Sequence, residues 1–301
     1  MIKIVNDIKE AKFITHSGVF HADDVFATAF LDLYYKNISV IRLDNVPLDV
    51  NNDIIIYDIG KGKFDHHQKE ARIRDNGIKY SSFGLLFEEY GLSFLERLKI
   101  ENKEEVYDYL VKDFILSIDA IDNGEFPSIT ANYKVKTVSD IIKLYNPSYG
   151  SNDTSNENFV KAVNIAESIF SFELKNVCGK VKAFKKVKEL LKNNNGDILS
   201  LDEYLPYEEV ILTGNYNTKL VIYPSNRGGY CVKTVPISLE DKNSRVYFPL
   251  KWAGLVNEEL EKTSGIKDVT FCHVNRFLVA TKSLEAALKV ASVTIDANEK
   301  C

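Results

Sequence analysis

The run Ile54-Ile55-Ile56-Tyr57 is apolar at every position and stops at Asp58. Four apolar residues without alternation describe a strand covered on both faces, the habit of a parallel sheet packed between helices. Residues 11–17 read as a short strand through Phe13 and Ile14 that delivers His16 at its end. Residues 23–36 read as a helix carrying Val25, Phe26, Ala29, Phe30, Leu33 and Tyr34, and residues 38–43 as another strand through Ile38, Val40 and Ile41. Strand, helix, strand, strand is the opening of an α/β sheet. Open sheets of this class bind ligands beyond the carboxyl ends of their strands, and His16 and Asp58 both fall at such ends.

Further along, residues 81–99 and 103–122 read as two helices, with Ser81 or Ser82 capping the first and Asn123-Gly124 stopping the second. The polar stretch 150–158 reads as a surface loop. After it, Phe159, Val163, Ala166, Phe170, Leu174, Val177, Val181, Phe184 and Leu191 keep helical spacing. An unbroken helix over 157–192 extends roughly 54 Å, with Gly179 a place to bend and residues 193–196 (Asn-Asn-Asn-Gly) a stop. Residues 197–301 alternate β-type runs (Val210–Thr213, Leu220–Tyr223, Tyr230–Val235) with turns and finish in a helix from about 283. The expected organisation is an N-terminal α/β domain with a mainly parallel sheet over 1–158, a connector helix over 159–196 and a smaller C-terminal α/β domain over 197–301.

Hydrophobic residues at 45% and charged residues at 27% describe a soluble globular chain with ample core material. The net charge of −5 excludes a protein that coats nucleic acid by bulk electrostatics. Cys178, Cys231, Cys272 and Cys301 form no CxxC pair, which fits a reducing compartment. No apolar run of about 18 residues is present, so no membrane span is expected. The N-terminus lacks a signal-peptide core and is not an arginine-rich presequence; the cytoplasm is the expected location, with the nucleus left open.

The chemistry concentrates in the histidines. Four of the five fall in two clusters, His16 and His21 in THSGVFHADD and His66 and His67 in FDHHQ, together with Asp23, Asp24 and Asp65. Each residue alone has a plain structural role: a packed imidazole, or acids favouring a helix N-terminus. As a set at strand ends they describe a site for divalent metal against a phosphate ester. Carboxylates suit Mg²⁺ and Mn²⁺ whereas imidazole suits later metals; the mixed set favours Mn²⁺, then Mg²⁺. More than four candidate ligands imply two ions, about 3.5–4 Å apart, around a bridging carboxylate.

The string FDHHQ, preceded by an aspartate closing an apolar strand and by the N-terminal His/Asp cluster, resembles the DHH phosphoesterase superfamily. THSGVFHADDVFA, IYDIGKGKFDHHQ, YSSFGLLFEEYG, SIDAIDNG, GGYCVKTVP and SGIKDVTFCHVNRFLVATKSLEAALKVAS narrow the likeness to the melanocyte-proliferating-gene family, over nearly the whole chain and in order. The resemblance implies a two-metal phosphodiesterase with 3′–5′ exonuclease activity on single-stranded RNA and a water nucleophile. It implies that His16 and His21 hold one metal, that Asp23 and His66 hold the second, and that Asp58 bridges both. It implies that Asp119 completes the ligand set of the second metal, with Asp122 the competing candidate, and that His67 contacts the scissile phosphate or assists proton transfer. His21 stands where the wider superfamily uses aspartate. In the C-terminal domain the likeness implies substrate binding by Arg245, His273, Arg276 and Lys282, whose arginines suit two-point phosphate contact. His273 can equally be a core histidine. The family's WRGL-type segment reads Lys251-Trp252-Ala253-Gly254-Leu255, without its arginine.

Two other functions fit the same residues: a DHH-type hydrolase of short oligonucleotides, cyclic dinucleotides or pyrophosphate, and a non-catalytic RNA-binding protein with a structural metal site. Residues 175–192 carry seven lysines against Glu189, which describes either a solvated helix face or a track for a nucleic-acid backbone. Oligomeric state is not legible.

Overall fold

The first sheet, in a computed structural model that describes residues 2–194 and 196–299, is wholly parallel. Strands β1 (Lys3–Ile4), β2 (Phe13–His16), β3 (Ser39–Leu43) and β4 (Ile55–Ile56) lie in the order β1-β3-β2-β4. Ile14 pairs with Ile41 on one side and Ile56 on the other. The chain therefore leaves β2 at His16 and β4 towards Asp58 side by side at the carboxyl edge of the sheet.

Helix α1 (Ala22–Tyr35) makes the crossover from β2 to β3 and is buried at every position from Ala22 to Asp32. Its buried stretch is mostly apolar without a polar stripe, but it also takes in Asp23, Asp24, Thr28 and Asp32. Its Phe30 ring meets Phe83, Phe87, Phe94 and Phe170. Each such ring contributes about 1.5–3 kcal/mol by burial. Helix α2 (Ser82–Arg97) begins one residue after Ser81. The segment expected as one helix over 103–122 is α3 (Lys103–Leu110), a π-helical turn (Val111–Ile115) and α4 (Leu116–Asp122), ending where Asn123-Gly124 begins. A short α5 (Val138–Lys143) follows.

Helix α6 runs from Ser155 to Lys192 without interruption at Gly179. It starts inside the stretch expected to be a loop over 150–158. The Arg42 guanidinium holds Ser155 Oγ and Asn156 Oδ1, and Thr154 Oγ1 accepts from the Glu157 amide, so these polar residues are anchored as a first turn. Asn195 of the expected stop lies outside the described residues.

The chain divides into two units, Met1–Gly179 and Lys180–Cys301. The second unit holds a mixed five-stranded sheet: β5 (Ile198–Ser200), β6 (Leu220–Pro224), β7 (Tyr230–Thr234), β8 (Val269–Cys272) and β9 (Leu278–Thr281), in the order β5-β6-β7-β9-β8. Only β5 with β6 is parallel. Its core gathers Leu220, Val232, Phe248, Trp252 and Val279 with Val290 and Ala291 of the terminal helix. Val210–Thr213, expected as a strand, lies in helix α7 (Glu208–Thr213). Glu208 and Glu209 suit its first turn and Gly214 follows its end. In so short a run apolar content cannot tell helix from strand. Among the described residues no helix is long and apolar enough to cross a membrane.

Candidate metal centre

The site is built at the carboxyl edge of the parallel sheet. His16 closes β2 and donates Nδ1–H to the carbonyl of Ser17 at 2.9 Å, which leaves Nε2 as the ligand nitrogen. That Nε2 lies 3.1 Å from Asp58 Oδ2 and 3.3 Å from Asp24 Oδ2. His66 Nε2 lies 3.2 Å from Asp58 Oδ1, 3.1 Å from Asp122 Oδ2 and 3.6 Å from Asp23 Oδ2. The two oxygens of Asp58 thus face two different histidines. Asp58 takes this position with a left-handed backbone, φ 58°, uncommon for a residue other than glycine. Its amide donates to the Phe64 carbonyl and its Oδ1 accepts from Ser82 Oγ at 2.9 Å.

Asp23 and Asp24 open α1 and are fully buried. Asp24 divides its work: Oδ1 accepts from the His21 amide at 2.8 Å and caps the helix, while Oδ2 turns to the cluster. Both oxygens of Asp23, Oδ2 of Asp24 and Nε2 of His66 are buried yet make no hydrogen bond. Buried carboxylate oxygens without partners are costly. A divalent cation drawing on all of them removes that cost, so the donor set fits metal on the chemistry of this cluster alone. Among the described residues three groups can each close on an ion: His16, Asp24 and Asp58; Asp58, His66 and His67, which shares Asp58 with the first; and His21, Asp23 and Asp122.

The acids disturb one another. Burial raises the Asp23 carboxyl well above its ordinary range, and Asp58, Asp122 and Asp24 add to the rise. Burial also pushes Asp24 up, against His16 and Arg42, to about 7. Burial alone would raise Asp58 as well, but its contacts with His16 and His66 outweigh it and hold the carboxyl below the usual range. For His16, burial opposes the charge, yet Asp58 and Asp24 bring the imidazole up to about 9. His66 is likewise raised, Asp58 and Asp122 overcoming burial. Such opposed shifts mark a crevice poised to exchange protons for cations.

Among the residues expected from sequence, the structure brings His16, His21, Asp23, Asp58, His66, His67 and Asp122 together. The expected grouping differs: His16 closes with Asp24 and Asp58, whereas His21 closes with Asp23 and Asp122. Asp24 was not among the expected ligands, although it stands beside Asp23 in the same first turn of α1.

Asp119 is placed elsewhere, and this corrects its expected role. Its Oδ1 accepts from the Ser81 amide and from Ser81 Oγ at 2.6 Å, and its Oδ2 from Arg74 at 2.6 Å. A Cβ on Gly84 would collide with the Asp119 carboxylate, so a glycine there lets that carboxylate lie against α2. Arg74 also stacks over Tyr80, 3.7 Å from guanidinium carbon to ring centre. Asp119 therefore fixes the start of α2, and the next residue, Ser82, holds Asp58.

His67 is more exposed, and its Nδ1 lies 2.9 Å from Asp65 Oδ1. Asp65 is itself fixed by the amides of Lys61 and His67. With Nδ1 committed, Nε2 is the free nitrogen.

The cations expected to grip substrate do not gather. Arg245 donates to the carbonyls of Tyr216 and Thr218 beside Lys219 and Asp197. Arg276 stacks on Tyr247 and donates to the Phe248 carbonyl. His273 is half-buried in the turn after β8, with its ring 4.3 Å from that of Phe277. Lys282 lines a separate cavity with Arg227, Gly228 and Gly229. In the lysine-rich helix segment, Lys180 pairs with Glu209, and Lys186 with Asp202 and Glu203.

Fold and site together define a mixed α/β protein with a buried histidine–carboxylate centre suited to metal. A sequence model of MYG1 exonucleases, described as an uncharacterised protein family (UPF0160), matches residues 12–295, and the chain belongs to that family. A MYG1 protein of Dictyostelium discoideum is 30% identical over 322 aligned residues, covering 95% of this chain and 97% of the relative. A Saccharomyces cerevisiae MYG1 protein is 28% identical, covering 97% of each chain. The human MYG1 exonuclease is 26% identical, covering 93% of this chain and 85% of its own length. No solved structure matches the chain.

Proposed function

We propose that this chain is a metal-dependent phosphodiesterase of the DHH type that removes nucleotides from the 3′ end of single-stranded RNA. The observation that carries the reading is Asp58, whose two carboxylate oxygens face His16 and His66 separately amid unpartnered oxygens of Asp23 and Asp24. The exonuclease name of several relatives supports nuclease chemistry. His16, Asp24 and Asp58 would hold one divalent ion; Asp58, His66, Asp23 and Asp122, with His21 at the rim, would hold another, Mn²⁺ before Mg²⁺.

Bound metal supplies Lewis acidity and an acidified water. The chain's own residues do the rest. Ser82 Oγ orients the Asp58 carboxylate. The Ser17 carbonyl fixes the His16 tautomer. His67, steadied at Nδ1 by Asp65, would act as the imidazolium: Nε2–H faces the leaving 3′-oxygen and gives that proton to it, and solvent restores it after product release. The products are a nucleoside 5′-monophosphate and an RNA one residue shorter.

Purified protein with Mn²⁺ is expected to shorten 5′-labelled single-stranded RNA, and Asp58→Asn and His66→Ala each to abolish it. Undiminished cleavage in both variants would remove the metal assignment. Phosphate release from pyrophosphate without RNA shortening would replace the substrate.

A further inference from the structure

Between α4 and α5 the chain runs from Gly124 to Thr137 without helix or strand. Connections beyond roughly 12–15 residues are uncommon in compact folds and are mostly functional or disordered. This one carries large apolar side chains out of the core: Phe126 is 74% exposed, Tyr133 76%, and Ile129 and Val135 are exposed as well. A soluble surface does not ordinarily gather so many at one place.

These side chains line a cavity of about 510 Å³. Tyr133, Val135 and Thr137 enter the lining at alternate positions, as an extended segment presents one face. The lining is not wholly apolar: it includes His21, Asp122 and His67, members of the metal cluster, and also Ser139, Asp140 and Lys143. An aromatic and aliphatic chamber therefore opens directly onto the groups that would hold the scissile phosphate. Its volume falls in the roughly 300–1,000 Å³ range of small-molecule sites.

We propose that this chamber is the subsite for the nucleobase of the 3′-terminal nucleotide, stacked on Phe126 and Tyr133. The proposal rests on the exonuclease reading for the terminal phosphate at the metal cluster. A nucleobase is the occupant that continuity demands: in a nucleotide, the flat apolar group lies one sugar away from the 5′-phosphate. Stacking on aromatic faces is indifferent to base identity, so the chamber grips any terminal nucleotide. A terminal base in a duplex has one face covered by its neighbour, so stacking between two rings requires it to leave the duplex stack. The subsite thus selects a single-stranded end.

The full-length protein with Mn²⁺ tests this by calorimetric titration with adenosine 5′-monophosphate and, separately, ribose 5-phosphate. Wild type should bind the nucleotide at least about tenfold more tightly, the size of one base–aromatic stack. The double variant Phe126→Ala/Tyr133→Ala should bind the two equally, and Tyr133→Phe should behave as wild type. Both side chains are exposed, so folding is not at stake; a matching unfolding temperature checks it. In cleavage assays the double variant should raise KM for RNA about tenfold with little change in kcat. It should leave KM unchanged on RNA ending in an abasic residue. RNA shortening with equal binding of the nucleotide and the sugar phosphate overturns the base subsite and leaves the exonuclease reading intact. Selective nucleotide binding lost in the double variant, without RNA shortening, overturns the exonuclease reading and leaves the subsite. Equal loss on normal and abasic ends overturns the stacking assignment.

Discussion

The acidic cluster of the first unit and the cationic residues of the second were singled out on the same ground, residue types suited to phosphate chemistry, and the two regions meet different fates. At the cluster, Asp23, Asp24 and His66 are buried with atoms that the chain itself leaves without hydrogen bonds. In the second unit, Arg245 and Arg276 spend guanidinium donors on the chain's own carbonyls, and His273 accepts from the Asn275 amide. A ligand site is thus marked less by the kind of side chain than by what the fold declines to satisfy. Arginine beside a loop finds carbonyls within reach; a carboxylate among carboxylates finds only further acceptors.

The sharpest test of this contrast lies on one helix. Asp119→Ala leaves Arg74 and Ser81 without their partner and should lower unfolding free energy by about 3–5 kcal/mol, read by denaturant titration of the metal-free protein. Asp122→Ala should leave that stability nearly unchanged and weaken Mn²⁺ binding about 10–100-fold or more, read by calorimetry. An exchange of these phenotypes between the two variants would overturn the division of roles between Asp119 and Asp122.

A smaller effect is expected from Ser82→Ala, which removes the hydroxyl held by Asp58 Oδ1 and should reduce metal affinity and turnover by about tenfold. The pH dependence follows from Asp24. Its carboxyl is pushed up to about 7 in the metal-free protein, so below that pH a proton occupies the oxygen that metal requires. Metal uptake releases this proton and the one that His16 keeps up to about pH 9, so the apparent Mn²⁺ affinity should rise with pH up to about 9 and fall more steeply below about 7 than above it. An affinity that fell no more steeply below pH 7 than above it would take Asp24 out of the ligand set. The least effect is reserved for the second unit: Arg245→Ala should cost about 1 kcal/mol of stability through two lost carbonyl contacts, with no change in KM for RNA.

Much of the sheet and its edge was legible because periodicity and strand ends are local signals. An apolar run ending in aspartate places Asp58, and a helix beginning just after His21 places Asp23. What was not legible depends on pairs far apart in the chain. Asp119 and Asp122 sit three residues apart on one helix and share a face; Arg74, 45 positions away, and Ser81, 38 away, separate their roles. Val210–Thr213 was too short for its period to speak. Phe126 and Tyr133 follow no period, and nothing in a linear reading ties them to the histidines whose cavity they share.

The π-helical turn at Val111–Ile115 bears on all of this. A π turn holds an extra residue relative to an α turn, and each residue of an α-helix advances the side chains by roughly 100°. Deleting one residue from this turn would restore a regular helix and swing Asp119 and Asp122 around its axis together, uncoupling Arg74 and emptying the third corner of the metal cluster in a single step. The angular phase of two carboxylates is thus stored in the backbone between two regular helices, where no substitution of one side chain for another can reach it.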